Sequence, residues 1–214
     1  MKQNLKAITH MYDTVAREWA VQFAAEHQHK AKDREVLLRF SEDLQGRQPV
    51  WDLGCGPGAT TAYLKKLGVE ASGLDLSAKI LEQARNAHPG ILFQQGDMLK
   101  LGFSDATIAG IVAFYAIVHF REQQVETAFQ EIFRVLEAKG VFLCSFHIGE
   151  GSIHLDEFLG KKVDIEVIFF PVAFIHRCLK DIGFRQIEII EREPYPGVEY
   201  QSRRAYVFAT KPSR

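Results

Sequence analysis

The chain has 214 residues, enough for one domain with a sizeable core and too few for most two-domain architectures. Hydrophobic residues make up 47% and charged residues 25%, ordinary globular values, and a formal net charge of −1 offers no basic face for tight binding to a phosphate backbone, so nucleic acid is not an expected partner. Three cysteines (Cys55, Cys144, Cys178) without CxxC spacing, and an N-terminal stretch without the apolar core of a signal peptide, point to a reducing, cytoplasmic setting.

Residues 2–25 and 29–45 show the period of two amphipathic helices, the second placing Val36, Leu37, Phe40 and Leu44 on one face before Gly46 and Pro49 end it. VWDL is the first buried strand. A glycine loop and a helix with Tyr63, Leu64 and Leu67 on one face follow, stopped by Gly68; VEASGLDL is the second strand. Ser77 caps the next helix (Ile80, Leu81, Ala84), which ends near HPG, and ILFQQGD is the third strand. TIAGIVAF is the fourth, apolar throughout as expected of a strand covered on both faces; the run around it is shorter than the roughly 20 residues of a membrane span, so no membrane partner is expected. A long helix over 121–138 and the strand GVFLCSF continue the alternation. GEGSIHLDEFLGKK is polar and turn-rich. Pro171 opens a helix carrying Phe174, Ile175, Cys178, Leu179 and Ile182, closed by Gly183. FRQIEIIE and RAYVFAT are strands joined by a short non-helical connection, so the last returns antiparallel. The pattern is a doubly wound α/β sheet, mostly parallel. Residues 1–214 form one domain, with a helical cap over 1–46 and a lid-like insertion over 149–170.

VWDLGCGPG sets Gly54, Gly56 and Gly58 in the first strand-to-helix turn, where doubly wound sheets bind their ligands. On the glycines alone three readings stand: a dinucleotide loop of an NAD(P)-dependent oxidoreductase, an adenosyl-binding loop, and a tight turn needing positive φ. Asp75 ends the second strand and suits ribose hydroxyls in either ligand. Asp52, two positions before Gly54, separates them: it repels a pyrophosphate and favours a ligand with an ammonium and a sulfonium. Asp97 in QQGDM ends the third strand, placed to accept from an exocyclic amino group, with Leu76 and Met98 to cover the two faces of an adenine ring.

With these residues in view the sequence resembles the class I S-adenosylmethionine-dependent methyltransferases, in particular the small-molecule group of ubiquinone-biosynthesis type. VWDLGCGPG looks like the first motif of that family, GLDLS its ribose-binding acid, GDM its adenine-binding acid, and FRVLEAKGVFLCSFH its RVLxPGG segment and fifth strand. Two departures stand out: Ala109 or Gly110 replaces an aspartate often found early in the fourth strand, and Lys139 replaces the proline of the PGG turn. The resemblance implies a Rossmann-like, seven-stranded sheet, S-adenosyl-L-methionine as cofactor with S-adenosyl-L-homocysteine as product, and a small-molecule methyl acceptor. It further implies that Gly54, Cys55, Gly56 and Gly58 pack on the methionine part, with Asp52 and the Phe114 carbonyl facing its ammonium. Asp75 takes the ribose, and Asp97 the adenine amino group. Tyr12 matches a Y-D-x-x-A element that closes over the cofactor, or is an ordinary helix anchor.

Methyl transfer is an in-line displacement that needs positioning and, for a poor nucleophile, proton removal. His119, after the fourth strand, and His147, just past the fifth, are each either a general base or a partner for a loop. His147, Glu150, His154, Asp156 and Glu157 match no zinc spacing, and no metal is expected. His27 and His29 read as surface residues. Glu199, Arg203 and Arg204 either pair structurally or clamp an acidic acceptor. A non-catalytic adenosyl-binding module remains an alternative, and neither the acceptor nor the oligomeric state is legible.

Overall fold

The computed structural model describes residues 5–213. Strand β1 (Val50–Leu53) is followed by α4 (Ala59–Lys66), β2 (Ala71–Asp75), α5 (Ala78–Ala87), β3 (Phe93–Gln95), β4 (Ile108–Phe114), α6 (Glu122–Val135) and β5 (Leu136–His147). The chain ends with α7 (Val172–Ile182), β8 (Arg185–Arg192) and β9 (Arg204–Thr210). These strands form one seven-stranded sheet in the order β3-β2-β1-β4-β5-β9-β8. β1 pairs in parallel with both β2 and β4, so strand order reverses there and a crevice opens beyond their carboxyl ends. β9 is antiparallel to β5 and β8 and lies between them, so its first residue stands at the same edge of the sheet as the last of β5: His147 faces Arg204.

The period of two along each strand sorts the core into two layers. Ile111 and Ala113 of β4, Phe142, Cys144 and Phe146 of β5, and Ala205 and Val207 of β9 pack with α6 and α7. Their alternates, Val112, Val141, Leu143, Tyr206 and Phe208, pack on the opposite face with Val36, Leu37 and Phe40 of α3 (Ala31–Asp43) and Leu64 of α4. This is the expected class I methyltransferase arrangement, with helices over both faces of a mostly parallel sheet.

Several boundaries differ from the periodicity. The first helix, read over 2–25, is α1 (Leu5–Phe23), its expected residues 2–4 lying outside the described ones; a short α2 (Glu26–His29) separates it from α3. The helix expected over 121–138 stops at Val135, and Leu136 already pairs with Ile108 as strand. Lys211 closes that helix by donating to the carbonyls of Phe133 and Leu136, both at 2.7 Å, a contact 78 and 75 positions distant that no helical period records. Asp97 stands two residues past the short β3 rather than within it.

The polar stretch after β5 is a hairpin, not a loop: β6 (Ser152–Phe158) pairs antiparallel with β7 (Lys161–Ile168) as a separate two-stranded sheet. Its turn places Leu159 at φ 52° and Gly160 at φ 73°, the doubly positive pattern that matches strand twist. Alternation hides an apolar face, because Ile165 of β7 packs with Ile8, Met11 and Val15 of α1 while Leu155 and Phe158 of β6 flank them. The hairpin and α1 are further joined by Lys161 and Glu18 at 3.2 Å. No described helix is long and apolar enough to cross a membrane.

Candidate active site

A cavity of about 960 Å³ lies over the carboxyl edge of the sheet, roofed by α1 and the hairpin. Gly54, Cys55 and Gly56 line it, together with Asp52, Asp75 and Asp97 from the ends of successive strands. Leu76, Met98, Phe114, Tyr12, His119 and His147 complete the set that the sequence singled out. Gly58 stands apart from that set. It does not line the cavity and faces the other way: a Cβ there would sit 2.6 Å from Cζ of Phe93, and its φ of 87° makes it the left-handed cap of α4. Gly56, by contrast, has φ 53°, and a Cβ would meet only the Trp19 indole nitrogen, at 3.4 Å.

Asp75 organises the loop. Its Oδ2 accepts from the Gly56 amide at 3.0 Å and its Oδ1 from the Ser77 amide at 2.9 Å, so one carboxylate joins the glycine turn to the start of α5. Burial pushes its pKa up, against the pull of those N–H donors. Each oxygen retains a lone pair for a further donor. Asp97 is held similarly, its Oδ1 accepting from the Leu99 amide at 2.8 Å.

Asp52 is 1% exposed, and its carboxylate accepts from Thr61, the side-chain Oγ1 at 2.7 Å and the backbone as well. Burial first, and the negative charge of Asp75 after it, push its pKa up to about 7. Among the described residues it has no ion pair, so a buried acid borders the cavity without a cation to balance it. Thr61, nine positions on, is a partner the sequence reading missed; nothing in the strand or helix period links the two.

Tyr12 and His119, singled out separately, meet: Tyr12 Oη lies 2.8 Å from His119 Nε2. His119 Nδ1 lies 2.7 Å from the Glu166 carbonyl oxygen of β7, which can only accept. Nδ1 therefore carries the proton, Nε2 accepts, and Tyr12 donates. Burial lowers the His119 pKa and raises that of Tyr12 well above its ordinary value, so both are neutral. His147 is different: its Nδ1 is 2.8 Å from Ser202 Oγ, and burial together with the positive charge of Arg204 brings it down to about 3.

One of the two surface assignments changes. His27 is buried, its Nε2 3.1 Å from Thr60 Oγ1 and its ring against Tyr63, whereas His29 is exposed but borders the cavity. Glu199 pairs with Arg192, with Arg204 at 3.5 Å and with Lys30 at 3.7 Å, the structural role weighed from the sequence. Arg203 pairs with Glu191 at 2.6 Å outside the cavity, while Arg204 and Glu199 line it. Lys30, Trp19, Tyr115 and Tyr200 also line the cavity and carried no sequence signal, since they come from unrelated segments. No cluster of three metal-ligating side chains occurs among the described residues.

Residues 50–140, from β1 into β5, match a family model described as a methyltransferase domain. Over that stretch the chain is similar to the S-adenosylmethionine-dependent methyltransferases. A malonyl-[acyl-carrier protein] O-methyltransferase of Erwinia billingiae is 31% identical over 154 residues, which cover 71% of this chain and 57% of that protein, so the chain spans little more than half the relative's length. Among solved structures, the DhpI complex with SAH matches with a TM-score of 0.75 at 17% identity, covering 99% of this chain and 98% of that one. The [4+2]-cyclase SpnF matches with a TM-score of 0.77 at 14% identity over the same shares. At such identities the likeness is one of fold, and chemistry has to be argued from the site.

The donor set of the cavity fits S-adenosylmethionine, the cofactor of the methyltransferases that the chain resembles. That molecule brings an ammonium and a sulfonium, which an uncompensated Asp52 attracts, and hydroxyl and amino donors, which the remaining lone pairs of Asp75 and Asp97 can accept.

Proposed function

We propose that the protein transfers a methyl group from S-adenosylmethionine to a small-molecule acceptor. The observation that carries this reading is Asp52: a buried, cation-less carboxylate beside the glycine loop suits a cationic ligand and would repel the pyrophosphate of a dinucleotide. In this reading Asp52 and the Phe114 carbonyl receive the ammonium, the backbone of Gly54–Gly56 with Cys55 packs on the methionine chain, and Asp75 takes the ribose. Asp97 takes the adenine amino group between Leu76 and Met98.

The cofactor supplies an electrophilic methyl; the chain holds the acceptor in line and receives its proton. Tyr12 and His119 are the groups suited to the second task. With Nδ1–H fixed on Glu166, the Nε2 lone pair of His119 points at the Tyr12 hydroxyl. The Tyr12 proton passes to Nε2 as Tyr12 Oη takes the acceptor proton, leaving Tyr12 neutral and His119 cationic. His147, held near 3, is a poor base at neutral pH and serves to shape the pocket. The α1 helix, within the 1–46 cap, and the hairpin, within the 149–170 insertion, act as the cover that excludes water.

Calorimetric titration with S-adenosylmethionine, S-adenosylhomocysteine and NAD tests the cofactor, and transfer of a labelled methyl into a metabolite extract tests turnover. Binding of NAD in preference to both adenosyl compounds would overturn the reading. Cofactor binding without labelled product in any extract would favour a non-catalytic binding module.

A further inference from the structure

Along the carboxyl edge the cavity residues follow strand order: Asp97 after β3, Asp75 on β2, Asp52 on β1, Tyr115 after β4, His147 at the end of β5 and Arg204 at the start of β9. The cofactor residues of the proposed function account for the β3–β4 half. Strands repeat every ~4.8 Å, so Arg204 stands about 14 Å along the edge from Asp52, in the half left for the acceptor.

Arg204 is 2% exposed. Its two terminal nitrogens are fixed by loop oxygens, one by Ser202 and the other by the Tyr200 carbonyl at 2.7 Å, but its buried Nε has no hydrogen-bond partner. Such an orphan donor on a cavity wall calls for an explanation, and a missing ligand is one. Lys30, 7% exposed, stands beside it: its Nζ and the Arg204 guanidinium each lie 5.7 Å from the centre of the Tyr115 ring. Tyr115 sits there because its backbone is left-handed, φ 51°, with its amide held by Ser145.

The neighbouring carboxylates have little left to offer a ligand. Glu199 already receives two Arg192 nitrogens and the Tyr195 amide, with Arg204 and Lys30 close by; Glu26 holds Lys30; Asp33 lies outside the cavity against Tyr206 and Arg192. The unpartnered donor on that wall is the Arg204 Nε–H, buried with the rest of its side chain, and the Lys30 ammonium stands next to it. Burial first, and the charges of Arg204 and Lys30 after it, lower the pKa of His147. Across the cavity, Ile153, Leu155, Ile165 and Val167 of the hairpin present an apolar wall.

We infer that the acceptor carries a carboxylate, held by Arg204 Nε and Lys30 over the Tyr115 ring, and an apolar body that lies against the hairpin. This rests on the methyltransferase reading and names the class of its acceptor. A carboxylate suits the site better than a phosphate, because two donors match two oxygens whereas a dianion with three would be left under-satisfied. The group is a handle: oxygens engaged by two cations are poor nucleophiles, and the methyl goes to another atom of the same molecule.

The test is calorimetry on the full chain saturated with S-adenosylhomocysteine, titrated with octanoate, octanamide and octylamine. Octanoate is expected to bind at least tenfold tighter than the other two. Arg204→Gln and Lys30→Gln should each reduce that preference to threefold or less while leaving S-adenosylhomocysteine affinity unchanged, which also reports that the fold survives. Arg203→Gln, one position away but outside the cavity, should leave it intact. Equal binding of octanoate and octanamide, or a preference that survives both cavity variants, would overturn the inference. If S-adenosylhomocysteine itself does not bind, the methyltransferase reading falls, and the octanoate preference measured in its absence still decides whether the anion site exists.

Discussion

Tyr12 Oη donates to His119 Nε2 across 2.8 Å, although 107 positions separate the two residues in the chain. Because the other ring nitrogen donates to the Glu166 carbonyl, one imidazole ties both α1 and the hairpin to the loop after β4. Tyr12→Phe keeps the ring and removes one hydrogen bond, an expected loss of about 1 kcal/mol in stability. Hydrogen exchange should rise together over residues 8–16 and 163–168 while β4 and β5 stay protected. Unchanged exchange over 163–168 would show that the two covers move independently.

The two histidines should separate in kinetics. His119→Gln is expected to lower kcat for methyl transfer by roughly 10²–10⁴, the usual range for losing a general base. His147→Gln should lower it less than tenfold, since an imidazole held at about 3 is unprotonated and weakly basic at neutral pH. Equal losses in the two variants, measured on labelled product, would remove the distinction.

In the proposed reading Asp52 should make cofactor binding pH-dependent. Its pKa is raised to about 7, so at lower pH it is protonated and a cationic ligand must displace that proton. Affinity for S-adenosylmethionine should therefore rise with pH, by at most about tenfold per unit, and level off above about 7. The sign for stability is opposite: the ligand-free folded state binds more protons than the unfolded chain between about 4 and 7, so it loses stability as pH rises through that window. Titrations in buffers of different ionisation heat should show proton release below 7, and Asp52→Asn should abolish it.

Asp75→Ala should weaken S-adenosylmethionine binding by about 1.5–3 kcal/mol, or roughly 10- to 150-fold, the scale of hydrogen bonds to a charged group. The same change leaves the Gly56 and Ser77 amides without their acceptor, so the loop itself should exchange faster. Unchanged affinity by calorimetry would mean that the ribose is held elsewhere.

The loop glycines should fail differently. Gly58→Ala puts a methyl 2.6 Å from the Phe93 ring at φ 87°, and is expected to cost about 2–4 kcal/mol of stability, read from denaturant midpoints. Gly56→Val faces the cavity, so its cost to stability should be smaller and its cost to cofactor affinity larger. A Gly56 variant that binds normally would remove the loop from the site.

Much of the fold was legible because it follows from local periods. The apolar β4 run, the Ser77 cap, which accepts from the Ile80 amide at 3.1 Å, and the Gly68 and Gly183 stops each depend on neighbours within a few positions. The three acids Asp52, Asp75 and Asp97 were legible for a similar reason, since a place at or just beyond the carboxyl end of a parallel strand puts each of them on the cavity wall. What the sequence could not reveal was decided by contacts between distant segments. Lys211 ended α6 early, and packing of Ile165 against α1 turned a polar stretch into a hairpin. Phe93 claimed Gly58 for the fold, and Tyr12 found His119. The β4–β9 half of the cavity draws Lys30, Tyr115, His147 and Arg204 from four separate segments. Their chemistry exists only once the sheet has set those strand ends side by side, because no repeat of 2 or 3.6 residues relates one to another.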